Sequence, residues 1–400
     1  MSPTTKIKLP QVSQKAALDL VTKMMAIPGK SCQEKLVAEF ITKQLLAAGI
    51  SPSAIRTDNL ARVSPAGGEI GNLIVKIPGT KRGPRRLLMA HIDTVPLCVG
   101  SRPIRKGGLI VAKDPHTALG ADNRAGASVV LTAILEIHRQ NLPHPPLTLF
   151  WPVQEEIGLL GARHVSLSNL GNPKLCFNWD GSFPEVVTIG ATGDYAMQIE
   201  IEGLASHAGV HPERGISAIA IAGRSISDLV ENGWHGQIVK GKNTGTSNIG
   251  FVEAGEATNV VTPRLVMRAE ARSHDPKFRL KIVKEYEAAF KRAVQAVKND
   301  AGKTGRLNFT ADLKYESFKL SESEPVVQAA LAAARATGLD ALTHVSNGGL
   351  DANWLSARGL PTVTMGCGQQ NVHTVDEALD IESFLSACRI GLLLATDYSE

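Results

Sequence analysis

Cysteine is scarce and scattered in this chain. There are five in 400 residues, at Cys32, Cys98, Cys176, Cys367 and Cys388. They are odd in number, far apart and never in a CxxC spacing, which argues against a disulfide framework and a thiolate zinc site. Aromatic residues are only 4% of the chain, and Lys and Arg are dispersed. No basic stripe with interleaved aromatics exists, so nucleic acid is not an expected partner despite a net charge of +5. No uninterrupted apolar run approaches the roughly 20 residues that span a bilayer, so no membrane partner is expected either. The opening stretch, MSPTTKIKLPQ, lacks an apolar signal core. These features together predict a protein of a reducing compartment, the cytoplasm. The glycine clusters match neither a P-loop nor a GxGxxG opening a helix after a strand, which argues against nucleotide binding.

What the chain does have is material for a core: 43% hydrophobic and 20% charged residues. SQKAALDLVTKMMAI and CQEKLVAEFITKQLLAAG carry apolar residues at helical spacing, and the second stops at Gly49. Short apolar runs follow: NLIVKI (72–77), RRLLMAHID (85–93), LTLFWPV (147–153) and KLCFNWD (174–180). A helix over 124–141 lies between the second and third. Apolar runs alternating with helices predict an α/β domain with a mostly parallel, buried sheet. From about Gly190 the pattern changes to period-two alternation. Strand–helix–strand–strand–helix–strand over 190–319 predicts an inserted two-layer α+β domain. The expected division is a domain of 1–189 and 320–400 interrupted by one of 190–319. The closing helix is expected to run to Tyr398.

Ligands of open α/β sheets bind beyond the carboxyl ends of the strands. Ionisable residues gather at those ends here. His91 and Asp93 follow RRLLMA, Glu155 and Glu156 follow TLFWPVQ, and Asp180 ends KLCFNWD. Asp122 sits just before the 124–141 helix, and His373 follows LPTVTMG through a short loop. Nitrogen and oxygen ligands converging on one rim suit zinc or a similar transition metal. Each residue also has an ordinary reading. Asp122 fits a helix N-cap, Asp93 and Asp180 fit turn residues, and the glutamate pair fits an acidic first helical turn. The ordinary readings do not explain why all fall at one rim.

HIDTVP, LGADNRAG, QEEIGLLGA, NWDG, SHAGVHPERG and VHTVDE occur in the order and approximate spacing of the di-zinc aminoacylase and carboxypeptidase G2-like metallopeptidase family. The chain resembles that family over nearly its whole length, and its texture is most similar to the peptidase T-like, tripeptidase branch. The resemblance implies a zinc-exopeptidase-like catalytic domain with an inserted lid, or dimerisation, domain. It implies two Zn2+ per chain, with Co2+ or Mn2+ as substitutes. Asp122 would bridge them, His91 and Asp180 would complete one site, Glu156 and His373 the other, and a shared water would fill the remaining position. Asp93, aligned with His91 along an extended strand, would orient its imidazole. Glu155 would be the general base.

On the inserted domain, His207 resembles the histidine that stabilises the oxyanion, with His211 as the competing candidate. Asn259 and Arg272 resemble residues that hold the substrate's backbone or carboxylate, and Gly348 and Gly349 resemble the loop that approaches its backbone. The chain departs from the family at Asn123, where a second acid is usual, at Arg124, often Lys, and at Leu350, commonly Ser or Thr. The implied activity is removal of the N-terminal residue from short peptides. The alternative is the same chemistry on an N-acyl amino acid or at a carboxyl terminus. A non-catalytic scaffold would have lost a ligand or the base, and all six positions are filled. A homodimer through the inserted domain is the expected assembly.

Overall fold

The computed structural model describes residues 9–396. The opening MSPTTKIK, and Asp397 and Tyr398 of the expected closing helix, lie outside the described residues. The chain forms two compact units, Met1–Gly190 with Lys319–Glu400, and Ala191–Phe318.

The first unit is built on a nine-stranded sheet. Its centre is parallel: Leu147–Trp151, Arg86–Met89, Leu175–Gly181 and Thr362–Gly366 lie side by side in that order. Its flanks are antiparallel, with Leu73–Ile77 against Leu147–Trp151 and Val186–Ala191 against Thr362–Gly366. The sheet is therefore mixed, and the strands from whose ends candidate ligands emerge are its parallel centre.

Both faces are covered, which is why these strands read as continuous apolar runs. Leu88, Leu149, Trp151, Phe177 and Trp179 pack into one core with the long helices Gln14–Met25, Ala121–Gln140 and Ile381–Thr396. Leu87, Met89, Phe150 and Cys176 point the other way, against Val165, Leu170, Leu355 and Leu360. Each such fully buried Leu or Phe contributes about 1.5–3 kcal/mol, so the strand ends are held by a stiff, doubly covered sheet.

Sequence alternation does not reveal a small four-stranded sheet, in the order Gln369–Gln370, Ala378–Asp380, Leu109–Ala112 and Pro103–Lys106. Strands of two to four residues are too short to show a period. This sheet matters because the loop between its first two strands carries His373.

The second unit has a five-stranded antiparallel sheet, order Gly236–Lys240, Asn243–Ala254, Arg264–Ser273, Gly193–Glu202 and Arg306–Tyr315. The helices Ala218–Glu231 and Pro276–Ala296 cover it through Ile221, Leu229, Ile282, Tyr286 and Phe290. The expected order gains one strand, Gly236–Lys240. Only Ile238 of that strand is buried, so it carries almost no alternation. Among the described residues no helix is long and apolar enough to cross a membrane.

Candidate metal centre

Asp122 presents its two carboxylate oxygens to two different histidines. Oδ1 lies 3.2 Å from His91 Nε2, and Oδ2 lies 3.2 Å from His373 Nε2. Asp180 Oδ1 is 3.6 Å from His91 Nε2, and Glu156 Oε2 is 2.9 Å from His373 Nε2. Two groups result, His91–Asp122–Asp180 and Asp122–Glu156–His373, each with ligand atoms within 4.8 Å of one another. Asp122 belongs to both. Its Oδ1 is buried without a well-aligned hydrogen bond, a costly arrangement unless a cation or proton accompanies it. The nitrogen and carboxylate donors suit zinc or a related divalent ion.

Local structure explains how each side chain arrives. The residues of the two strand-end loops are braced by Asp93, whose carboxylate accepts the backbone N–H groups of Glu155 at 3.0 Å and Glu156 at 3.2 Å, and the Ser31 hydroxyl at 2.6 Å. The His91 ring is oriented at the same place. Its Nδ1 lies 3.2 Å from the Asp93 carbonyl and 3.4 Å from Asp93 Oδ1. The strand ends at Met89, so this contact is made in the loop beyond it rather than along an extended strand. Burial raises the Asp93 pKa, but His91, Ser31 and the Glu155 N–H together hold it below the usual carboxylate range.

The helix-cap reading of Asp122 is replaced by a cap one residue later. Asp122 and Asn123 have non-helical backbones at the head of Ala121–Gln140, and Asn123 Oδ1 accepts the Gly126 N–H at 3.0 Å. Its amide donates to the Trp179 carbonyl at 2.6 Å, a bond a carboxylate could not make. The glutamate pair is likewise outside any helical first turn, because the next helix starts at Leu160. His373 has φ +65°. A non-glycine residue there costs on the order of 1–3 kcal/mol and is held by its surroundings.

Electrostatics tell the same story as geometry. Burial pushes Asp180 to about 6, with the Asp122 charge adding to it, and pushes Glu156 to about 7. Burial, then Asp180, Asp351 and Glu156, push Glu155 well above the carboxylate range although His91 opposes them. Hydrogen bonds to Asp122 and Glu156 raise His373 to about 10. Burial lowers the affinity of His91 for a proton, but Glu155, Asp180 and Asp122 override it and raise its pKa well above the ordinary value. The result is a knot of carboxylates sharing too few positive charges, the condition a divalent cation relieves.

The second unit holds the other site candidates. His207 is exposed, and its Nδ1 accepts the Gly209 N–H at 3.2 Å. That places the ring proton on Nε2, leaving an N–H free to donate. His211 is instead paired with Glu213 at 3.1 Å. Asn259 lies on the segment beside His207, accepting the Ala208 N–H through its carbonyl at 2.9 Å. Arg272 is half-buried and already bonds Glu270 at 2.9 Å. In the first unit, Gly348 and Gly349 form the loop before the helix Asp351–Ala357, where Gly348 N–H donates to Ser346 Oγ at 3.0 Å.

Comparison with known proteins places this geometry. Residues 303–397 match the profile of peptidase family M20/M25/M40, residues 189–298 that of the peptidase dimerisation domain, and residues 72–211 that of peptidase family M28. An uncharacterised Bacillus subtilis protein, YqjE, is 30% identical over 95% of this chain and 97% of its own length. The chain belongs to peptidase family M20. A tripeptidase from Staphylococcus aureus superposes with a TM-score of 0.87 at 29% identity, covering 96% of this chain and 98% of that one. Aminopeptidase PepT from Bacillus cereus gives 0.83 at 28% identity, covering 96% and 99%. This M20 chain is thus a tripeptidase-like metallopeptidase, a hydrolase.

Two buried acids beside the candidate ligands escaped the sequence reading, although one of them, Glu377, lies in the quoted VHTVDE. Asp351 is fully buried, and neither carboxylate oxygen has a hydrogen-bond partner among the described residues. Glu377 accepts the N–H groups of Gly120 at 2.7 Å and Asp122 at 2.9 Å. It stands four residues after His373, so one side chain ties the His373 loop to the backbone of Asp122. Replacing Glu377 with Gln puts a donor against one of two N–H donors. E377Q is expected to weaken metal affinity by about 10–100-fold, read by competition against a chromophoric chelator; an unchanged affinity would show that Glu377 does not position Asp122.

The same titration has an expected pH dependence. His373, Glu156 and Asp180 carry protons below about 10, 7 and 6 respectively. A cation must displace those protons, so affinity rises with pH, about tenfold per pH unit for each proton released. The rise is steepest below about pH 6, where these three protons are displaced together with that of His91, whose pKa is also raised, and it shallows above about pH 7, where only the two histidine protons remain to be displaced. Affinity that stays flat from about pH 6 to pH 8 would contradict the assignment of these side chains as ligands.

Proposed function

We propose that the protein removes the N-terminal residue from short peptides, tripeptides above all, with two zinc ions held by His91, Asp122, Asp180, Glu156 and His373. The observation that carries this reading is the division of Asp122's two oxygens between two histidines, each backed by a further carboxylate. Two bound divalent ions would acidify a shared water and polarise the scissile carbonyl.

The chain's own residues account for the rest. Glu155 takes a proton from the attacking water as the new C–O bond forms, and returns it to the nitrogen as the C–N bond breaks. Asp93 fixes the main chain of Glu155 and Glu156 together, so base and ligand keep a constant relation. His207, with Nε2–H free, is assigned as the oxyanion donor. Asn259, Gly348 and Gly349 are assigned to the substrate backbone. Arg272 is assigned to the substrate carboxylate and must share its guanidinium with Glu270. We assign catalysis to the domain of 1–189 and 320–400, and lid and homodimer contacts to 190–319, in a cytoplasmic protein.

The test is a substrate panel on enzyme with measured metal content. About two zinc equivalents per chain are expected, with tripeptides cleaved at the first bond ahead of di- and tetrapeptides. Preferred release of acetate from N-acetyl amino acids would move the chain to the deacylase branch of the same chemistry. Peptide cleavage that survives complete metal removal would refute the mechanism.

A further inference from the structure

Gln154 stands directly before the glutamate pair, and its backbone is left-handed, with φ +59°. A residue other than glycine is uncommon there and must be held by its surroundings. The turn has a geometric consequence. Along an extended chain successive side chains point to opposite sides. A chain that stayed extended through Gln154 would send Glu155 and Glu156 apart. Both instead belong to one centre: Glu155 feels the charges of His91 and Asp180, and Glu156 Oε2 lies 2.9 Å from His373 Nε2.

Each of the four polar atoms of Gln154 has a partner, and the residue is fully buried. Its Oε1 accepts the Ser64 hydroxyl at 2.5 Å, and its Nε2 donates to the Gly67 carbonyl at 2.7 Å. The Ser64 oxygen itself accepts the Ala66 N–H at 3.1 Å, so its proton is free for Gln154. A Cβ at Gly68 would stand 2.6 Å from Gln154 Nε2, so glycine lets that turn close on the amide. The main chain is held as well. Gln154 N–H donates to Glu34 Oε1 at 3.1 Å, and its carbonyl accepts the Leu160 N–H at 3.1 Å. Glu34 is buried just ahead of the helix Lys35–Ala47, and the same oxygen takes the Cys32 N–H at 2.8 Å. Two segments, 90 and 120 residues away in sequence, thus grip one residue. None of these bonds goes to Glu155 or to a metal ligand. What they fix is the direction in which the chain leaves Gln154.

We propose that Gln154 is a positioning residue: with Glu34 and Ser64 it holds the left-handed turn that delivers the general base and a metal ligand to the centre as one unit. The inference rests on the roles assigned above to Glu155 and Glu156. Asp93 holds the pair by its N–H groups after the turn, and Gln154 sets the turn itself. Without that grip Glu155 shifts relative to the attacked carbonyl and Glu156 relative to its metal, while His91 and Asp180 keep their places. A misplacement of about 1 Å costs up to about 100-fold in rate.

The test measures kcat and KM for trialanine in the zinc-loaded enzyme, and the two zinc affinities by competition against a chromophoric chelator. H373A identifies which affinity belongs to the Glu156 site. Q154A is expected to lower kcat by about 10–100-fold with KM within about twofold. It should weaken the Glu156 site by about tenfold and leave the other zinc affinity unchanged. E34A should act in the same direction, and E34Q, which keeps the accepting oxygen, should restore kcat to near the wild-type value. S64A removes one bond to the amide and should lower kcat by about three- to tenfold. It carries the test by itself if Q154A and E34A do not fold. A purely structural role would lower the Tm and leave kcat and both affinities of the folded enzyme at wild-type values; that result, or equal weakening of both zinc sites, overturns the proposal. E34Q as impaired as E34A would remove Glu34 from the arrangement. The zinc affinities are read without substrate, so they decide the matter even where trialanine is not cleaved. E155Q and E156Q, measured alongside, test the underlying reading. Full turnover and full metal in both would remove the roles assigned to the pair, whatever Q154A does.

Discussion

E155Q is expected to keep its full metal content and lose turnover by about 10²–10⁴-fold. Gln matches Glu in shape but cannot take a proton from water. Glu155 is outside both metal-holding groups, and its main chain is anchored through its N–H to Asp93, a bond the substitution leaves untouched. The loss should fall on kcat, with KM nearly unchanged, because the proton transfer belongs to the transition state. E156Q makes the contrast. Glu156 Oε2 lies 2.9 Å from His373 Nε2, so its variant should lose about one metal equivalent per chain along with activity. Metal analysis beside kinetics on both variants decides the division of labour within one dipeptide. Loss of metal from E155Q, or full metal in E156Q, would reverse it.

That division was partly legible in the sequence. Short apolar runs ending in His91, Glu155 and Asp180 marked both the strands and the rim, because buried parallel strands must be apolar and their polar ends must emerge together. Asp122 and His373 were legible only as candidates, since an Asp before a helix and a His in a loop have common ordinary explanations. What the pattern could not carry were bonds from a side chain to a distant main chain. Asp93 grips the backbone 62 residues away at Glu155, and Glu377 grips Gly120 from 257 residues away. Neither leaves a local period. The departure at Asn123 was visible but its reason was not. Its amide caps the helix with the oxygen and donates to Trp179 with the nitrogen, a pair of roles that appears only once the helix and the Leu175–Gly181 strand are adjacent.

D122A is expected to lose both metals at once, where H91A or H373A should each lose about one. The reason is geometric. One carboxylate faces His91 with Oδ1 and His373 with Oδ2, each at 3.2 Å. Removing it leaves each group two protein ligands, below the three that catalytic zinc sites use. Activity should fall to background, and metal analysis should return well under one equivalent per chain. Thermal unfolding gives a readout independent of catalysis. Metal that binds only the folded chain stabilises it by about 4 kcal/mol at a free concentration near 1,000 times Kd, so a chelator should lower the Tm of the wild-type protein by several degrees. D122A has no bound metal to lose, and its Tm should not respond to the chelator. A D122A protein that still bound one equivalent, and still lost stability to a chelator, would mean that the two sites are assembled independently and that Asp122 is not what joins them.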